Sequence, residues 1–146
     1  MKGLGKDFNV IPVATGKHIS LKNASGVTFV CYEDGGAQAI QVMESIAGAS
    51  EQLLATVTEL YASNGIGGVF TRETTDANGA LGTGDAEMVK KDTTLFDCAV
   101  FYIGADELSD GFDSIEVTID GAGICAAIVH GLKVQRAPQN LPASAV

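Results

Sequence analysis

Apolar and polar residues along the chain alternate in short runs of period two, separated by clusters of Gly, Asn, Asp and Ser. The longest nearly unbroken apolar run is Leu95 to Ile103, LFDCAVFYI, interrupted only by Asp97. It is short and rich in aromatic and β-branched residues, and it lacks the polar stripe of a surface helix. It therefore predicts a strand buried on both faces. Lys17–Lys22 sets Ile19 and Leu21 on one side and His18, Ser20 and Lys22 on the other, the pattern of a half-buried strand. Val27–Tyr32 predicts a second, central strand. After the turn formers Glu33-Asp34-Gly35-Gly36, residues Ala37–Ile46 alternate again, so the two segments predict a hairpin. Gly67–Thr74 and Ser114–Asp120 predict further strands, and Ile124–Val129 with Leu132–Val134 predicts a closing hairpin.

One stretch changes period. Ser50 suits an N-cap, Glu51 places negative charge in a first turn, and Leu53, Leu54, Val57, Leu60 and Tyr61 form one apolar stripe. With Asn64-Gly65 as a stop, this predicts one substantial helix over Ser50–Ser63, weakened locally by the β-branched Thr56, Val57 and Thr58. The ends differ from the middle. In Met1–Gly16, Pro12 cannot donate to a sheet ladder, so FNVIPV is extended or at best an edge strand. Thr75–Asp92 is long, carries Asn78, Gly79, Gly82 and Gly84, and reads as a loop that touches a neighbouring subunit. Arg136–Val146, with Pro138 and Pro142, is excluded from a central strand.

The expected fold is α+β and mainly β: an antiparallel β-sandwich or barrel-like sheet of roughly seven strands with one helix. The expected organisation is an extended N-terminal arm over 1–16, a single β-rich domain over 17–135 and an extended C-terminal tail over 136–146. With 146 residues the chain can bury a core without disulfides or metals.

Composition adds a hint about the surface. Charged residues make up 18% of the chain, against about a quarter in typical domains. Either neighbouring chains cover part of the surface, or this is a small-residue β protein with long loops. The net charge of −9 is uneven, because residues 1–22 hold four lysines against Asp7 alone. An acidic body argues against a nucleic-acid partner. The basic arm either lies across an acidic neighbour or is a solvated tail. Cys31, Cys98 and Cys125 all fall in apolar runs without CxxC spacing, and read as buried free thiols in a reducing compartment. No signal peptide is expected. No apolar run approaches the ~18 residues of a membrane span.

Candidate chemistry is sparse. Asp106-Glu107-Leu108-Ser109-Asp110-Gly111 fails the EF-hand pattern, because Leu108 and Val117 stand where oxygen ligands are needed. His18 and His130 have no neighbour at metal-ligand spacing, and His130 before Gly131 reads as a hydrogen-bonded structural histidine. A Cys–His pair such as Cys125 with His18 stays open, though nothing favours it. The glycine runs match neither dinucleotide nor P-loop spacing. The sequence therefore assigns no catalytic residue, cofactor or metal ligand.

The segments VTFVCYEDGGAQAIQVMESIAGAS, YASNGIGGVFTRETT, DTTLFDCAVFYIGADELSDGFDSIEVTIDGAG and VQRAPQNLPA resemble small virion structural proteins of tailed bacteriophages. Among these the chain is most similar to the capsid-decoration or minor head class of actinobacterial phages, over roughly residues 17–142. The resemblance implies a non-enzymatic protein made in the bacterial host cytoplasm and displayed on the capsid surface of the virion. Its partners would be the major capsid protein and itself, as a trimer, with no nucleic acid and no membrane. On this reading Lys2, Lys6, Phe8 and Val10 contact the capsid, and Leu81, Met88, Pro138 and Leu141 contact sister subunits. The alternatives are a head–tail connector or tail-tube subunit and, from another class, a small ligand-binding or enzymatic domain with a cleft near His130 and Cys125.

Overall fold

The computed structural model describes residues 3–14, 16–32, 40–54, 59–63, 69–74, 98–119 and 123–142. Among the described residues ten strands run in order: β1 (Phe8–Val13), β2 (Ile19–Ser20), β3 (Gly26–Tyr32), β4 (Ile40–Ile46), β5 (Ala49–Leu53), β6 (Glu59–Ser63), β7 (Thr71–Thr74), β8 (Cys98–Gly104), β9 (Ser114–Ile119) and β10 (Ile124–His130). They form a six-stranded sheet, β1-β10-β3-β8-β6-β7, and a four-stranded sheet, β2-β9-β4-β5. Every strand pairing is antiparallel.

The two sheets share one core, as alternation along each strand requires. Val27, Phe29 and Cys31 of β3 and Ala99, Phe101 and Ile103 of β8 point inward from the large sheet. Ile40 and Val42 of β4 and Ile115 and Val117 of β9 meet them from the small one. Phe29 and Phe101, directly opposite in register, stack with ring centroids 5.2 Å apart. The Cys31 and Cys125 thiols form no disulfide; they face each other across β3 and β10 with their sulfurs 2.9 Å apart.

Several expectations are corrected. No α-helix occurs among the described residues, and the predicted helix over 50–63 is instead β5 and β6, which lie in different sheets. The chain reverses at Ala47 (φ 51°) and Gly48 (φ 81°), two residues of positive φ that suit a tight hairpin between β4 and β5. Ser50, the expected N-cap, also has positive φ (55°), and the register slips there, with Ser50 and Glu51 set against Ser45. β3 and β4 are not a hairpin, because β3 lies between β10 and β8 while β4 lies between β9 and β5. Leu132–Val134 forms no strand, since both edges of β10 are already taken by β1 and β3. The strand at Cys98–Gly104 is not buried on both faces: its inner side chains are covered, but Tyr102 is 54% exposed.

The N-terminal segment is stitched to the body. β1 pairs along its length with β10, with Pro12 on the sheet edge, and sets Ile11 and Val13 against the core. Gly5, at φ 80°, lets the chain pass the Arg136 carbonyl so closely that a Cβ would collide with it. Arg136 N–H donates to Gly5 O at 2.9 Å. Deleting residues 2–15 is therefore expected to destabilise the domain by about 2–3 kcal/mol, from the loss of two half-buried aliphatic side chains. An unchanged thermal melt by circular dichroism would show that the core needs nothing before Lys17.

The acidic 105–113 turn is tied down by buried and partly buried carboxylates. Glu44, 1% exposed, points inward from β4. It accepts Ser109 N–H at 2.8 Å, Ser109 O–H at 2.5 Å and the Gln52 amide at 2.6 Å. Glu44→Ala would strand these donors and is expected to cost about 2–3 kcal/mol in chemical denaturation. Glu44→Gln, which keeps the shape, should cost less. For Asp113, desolvation pushes the carboxyl up. The Ser114 hydroxyl, the Ala47 N–H and the Lys22 ammonium at 3.0 Å more than offset it and hold the group below its ordinary 3.8. A depressed folded pKa adds stability above the unfolded value and loses it as pH falls through the lower folded one. Asp113→Asn should accordingly flatten the acid limb of a stability–pH curve below about pH 4. An unchanged limb would refute this.

Candidate functional site

The two sheets differ on their outward faces. In the small sheet, Ser20, Ser114 and Ser45 share one register row, and Gln41 pairs with Thr118. Glu116 pairs with Met43 beside them. His18 continues this face two residues before Ser20. The face is thus polar in composition, although His18, Ser45, Ser114 and Glu116 on it are buried.

The large sheet lacks it. Residues directly opposite in an antiparallel ladder share a face, so the register defines its outer rows. One row runs across all six strands through Pro12, Ala126, Val30, Val100, Tyr61 and Arg72. On one side of it lies Val10–Ile128–Thr28–Tyr102, and on the other Ile124–Tyr32–Cys98–Ser63. A fourth row, Phe8–His130–Gly26–Gly104, ends the sheet. Arg72, at the edge, carries a fixed charge, and the register places Glu59 of β6 at the same parity as Tyr61, where the Tyr102 row continues.

Several of these side chains stand open to water: Ile124 is 69% exposed, Tyr102 54%, Tyr32 52%, Val10 46% and Tyr61 43%. Three of the four rows span four strands, so with strands about 4.8 Å apart and rows about 6.8 Å apart they outline a patch of roughly 15 by 20 Å, on the order of 300 Å². That falls within the range for the largest apolar patch of a monomer, where such patches are often functional.

Phe8 and Val10, expected at a capsid contact, lie on this face, Phe8 half-buried and Val10 exposed. Lys6 is exposed in the turn before β1. Pro138 begins an exposed 3-10 turn, Pro138–Asn140, and Leu141 behind it is half-buried. Lys2, Leu81, Met88 and the 75–92 loop lie outside the described residues. Nothing in the pattern along the chain singles out Val30, Val100, Tyr102 or Ile128. The available signal was that β3, β8 and β10 are apolar at both parities, which reads equally well as a second buried face.

The histidines and cysteines do not form a catalytic pair. His130 points outward and bonds the Thr28 hydroxyl through Nε2 at 2.8 Å. Cys125 points inward to Cys31, so the two groups of the expected cleft face opposite sides of the sheet. His18 is 4% exposed and is bonded to Ser45 and Glu51, not to Cys125. Cys98, on the outer face, has its thiol pushed up by burial, which leaves less of the nucleophilic thiolate. Comparison with known proteins adds nothing to the geometry: no family model, no curated protein and no solved structure matches the chain.

Proposed function

We propose that this protein is a non-enzymatic structural subunit of a tailed-bacteriophage head, a decoration protein that lies on the major capsid shell and reinforces it. The observation that carries the reading is the apolar outer face of the large sheet. A solvated antiparallel sheet would bear polar residues there, whereas this one presents aliphatic and tyrosine side chains, the composition of an interface core. The major capsid protein is taken as the occupant because the face runs into Phe8 and Val10, next to the basic residues 1–22 of an otherwise acidic chain. Apolar rows supply the anchor and the lysines supply attraction to an acidic shell. Sister copies, as a trimer, would meet through the tail around Pro138 and Leu141. Many weak contacts repeated over a lattice add up without large individual affinities.

The test is the copy number of the protein in purified virions, by quantitative mass spectrometry against the major capsid protein. Near parity supports a decoration role. Copies sufficient for a single ring would mean a connector, copies scaling with tail length would mean a tube subunit, and absence from the particle would overturn the virion reading. Raising salt should lower occupancy if the lysines contribute.

A further inference from the structure

The small sheet gathers a second group of side chains that the proposed role does not use. His18, just before β2, Glu116 on β9 and Glu51 on β5 converge over its outer face, with Ser45 of β4 beneath them. All four strands thus contribute to one spot. His18 Nε2 lies 3.0 Å from Glu51 Oε1 and 3.8 Å from Glu116 Oε2. One ligand atom from each of the three residues falls within 4.8 Å of the others.

Three details distinguish this from a surface ion pair. The His18 ring is fixed from behind, because Nδ1 bonds the Ser45 hydroxyl at 2.9 Å, leaving Nε2 to face the carboxylates. Outer partners of this kind orient metal-binding histidines. Glu116 is only 7% exposed and is anchored through Oε1 by the Gly16 N–H at 2.5 Å. Its Oε2, aimed at the cluster, accepts no hydrogen bond among the described residues. Finally, two carboxylates meet one imidazole, and no lysine or arginine pairs with either among the described residues. A buried carboxylate oxygen without a donor is costly unless a cation meets it.

We infer that His18, Glu51 and Glu116 form a binding site for a divalent transition-metal ion of the Zn²⁺ class. One nitrogen and two carboxylate oxygens suit Zn²⁺ or Co²⁺, while Mg²⁺ demands an octahedral, oxygen-rich shell. The spacing fits. Bonds of about 2.0–2.1 Å in a tetrahedron set ligand atoms about 3.3–3.4 Å apart, and the two observed N···O distances bracket that value. Glu51 reaches the spot because the register slip at Ser50 turns the chain there, and a residue of positive φ with a side chain is a local strain that functional sites often hold. The ion would clip β5, β9 and the start of β2 together, bracing the small sheet from one edge to the other.

The experiment uses the full chain after chelator treatment, titrated with ZnCl₂, CoCl₂ and MgCl₂. The expected result is one Zn²⁺ per chain by calorimetry and a melting temperature raised by about 5–10 °C at a hundredfold excess over Kd, with no effect of Mg²⁺. Glu51→Gln, at an exposed position, should weaken Zn²⁺ binding at least ~10-fold, as should Glu116→Gln. Ser45→Ala, which frees the ring without removing a ligand, should cost about 10-fold. The Co²⁺ form should show d–d bands in the visible and no sulfur-to-cobalt charge-transfer band. No Zn²⁺ binding by the wild type would overturn the inference. So would binding undiminished in Glu51→Gln and Glu116→Gln, or a sulfur-to-cobalt charge-transfer band, which would place the ion on the cysteines.

Discussion

Val100→Lys is expected to leave the domain folded and to abolish the proposed attachment to a capsid shell. Val100 sits in the middle of the outer face of the large sheet, flanked by Val30 and Tyr61 in the same row. Val100 is half-buried among side chains of which Tyr61 and Tyr102 stand exposed, so a lysine can lay its methylenes along the row and lift its ammonium into solvent, at a cost of about 1 kcal/mol. If the proposed contact forms through this face, the same ammonium would be trapped there against an apolar partner. The effective penalty for desolvating an unpaired charge is several kcal/mol. A loss of ~3 kcal/mol already means more than a hundredfold weaker binding. The measurement is a pair: thermal melting of the purified variant, and its occupancy on shells that lack the wild-type protein. An unchanged melt with lost occupancy supports the face as the contact. Normal occupancy would remove the large sheet from the interface and with it the main support for the proposed role. Ser114→Lys is unsuitable as a control because that residue is buried, so Gln41→Lys on the polar sheet serves instead.

Phe29→Ala is expected to have the largest effect on folding. Phe29 is fully buried at the centre of β3, stacks on Phe101 at 5.2 Å and faces the small sheet's core residues. Truncation removes the transfer free energy of the ring and leaves a cavity that two packed sheets cannot easily close. Together these cost about 3–5 kcal/mol. Against a total of ~5–15 kcal/mol, this takes a large share of the stability. The melting temperature should fall by roughly 10 °C or more, and chemical denaturation should show an earlier midpoint at similar slope. Phe29→Leu, which keeps most of the volume, should lose less than half as much. If alanine were tolerated within about 1 kcal/mol, the two sheets would not be sharing one packed core.

What the sequence by itself determined is the part that rests on local alternation. Ile19, the strand cores at Val27–Tyr32 and Ser114–Ile119, and the antiparallel two-faced character follow from period two, because neighbouring side chains on an extended chain must point to opposite sides. Pro12 fixed its own segment to an edge in the same way, through a missing donor. Pairing partners were not legible. A strand carries no mark saying which sheet it will join, so β3 and β4 looked like a hairpin although the chain crosses between layers there. At residues 50–63 the stripe of Leu53, Leu54, Val57, Leu60 and Tyr61 is compatible with a helix, yet ladder bonds to β4, β7 and β8 outweigh so weak a local preference.

The two surfaces of interest were hidden for a related reason. Apolar residues at both parities of Leu95–Ile103 say that both faces avoid water, but not whether the second is covered within the chain or by another molecule. Only the stacking of the sheets decided that Tyr102 and Val100 face outward. Likewise His18, Ser45, Glu51 and Glu116 are dispersed over about a hundred positions with no ligand spacing. Four strands had to be laid side by side, with a register slip at Ser50, before their side chains met. Spacing along a chain reveals a site only when one element supplies it; a site assembled across a sheet exists at the level of strand order and register, which long-range packing sets.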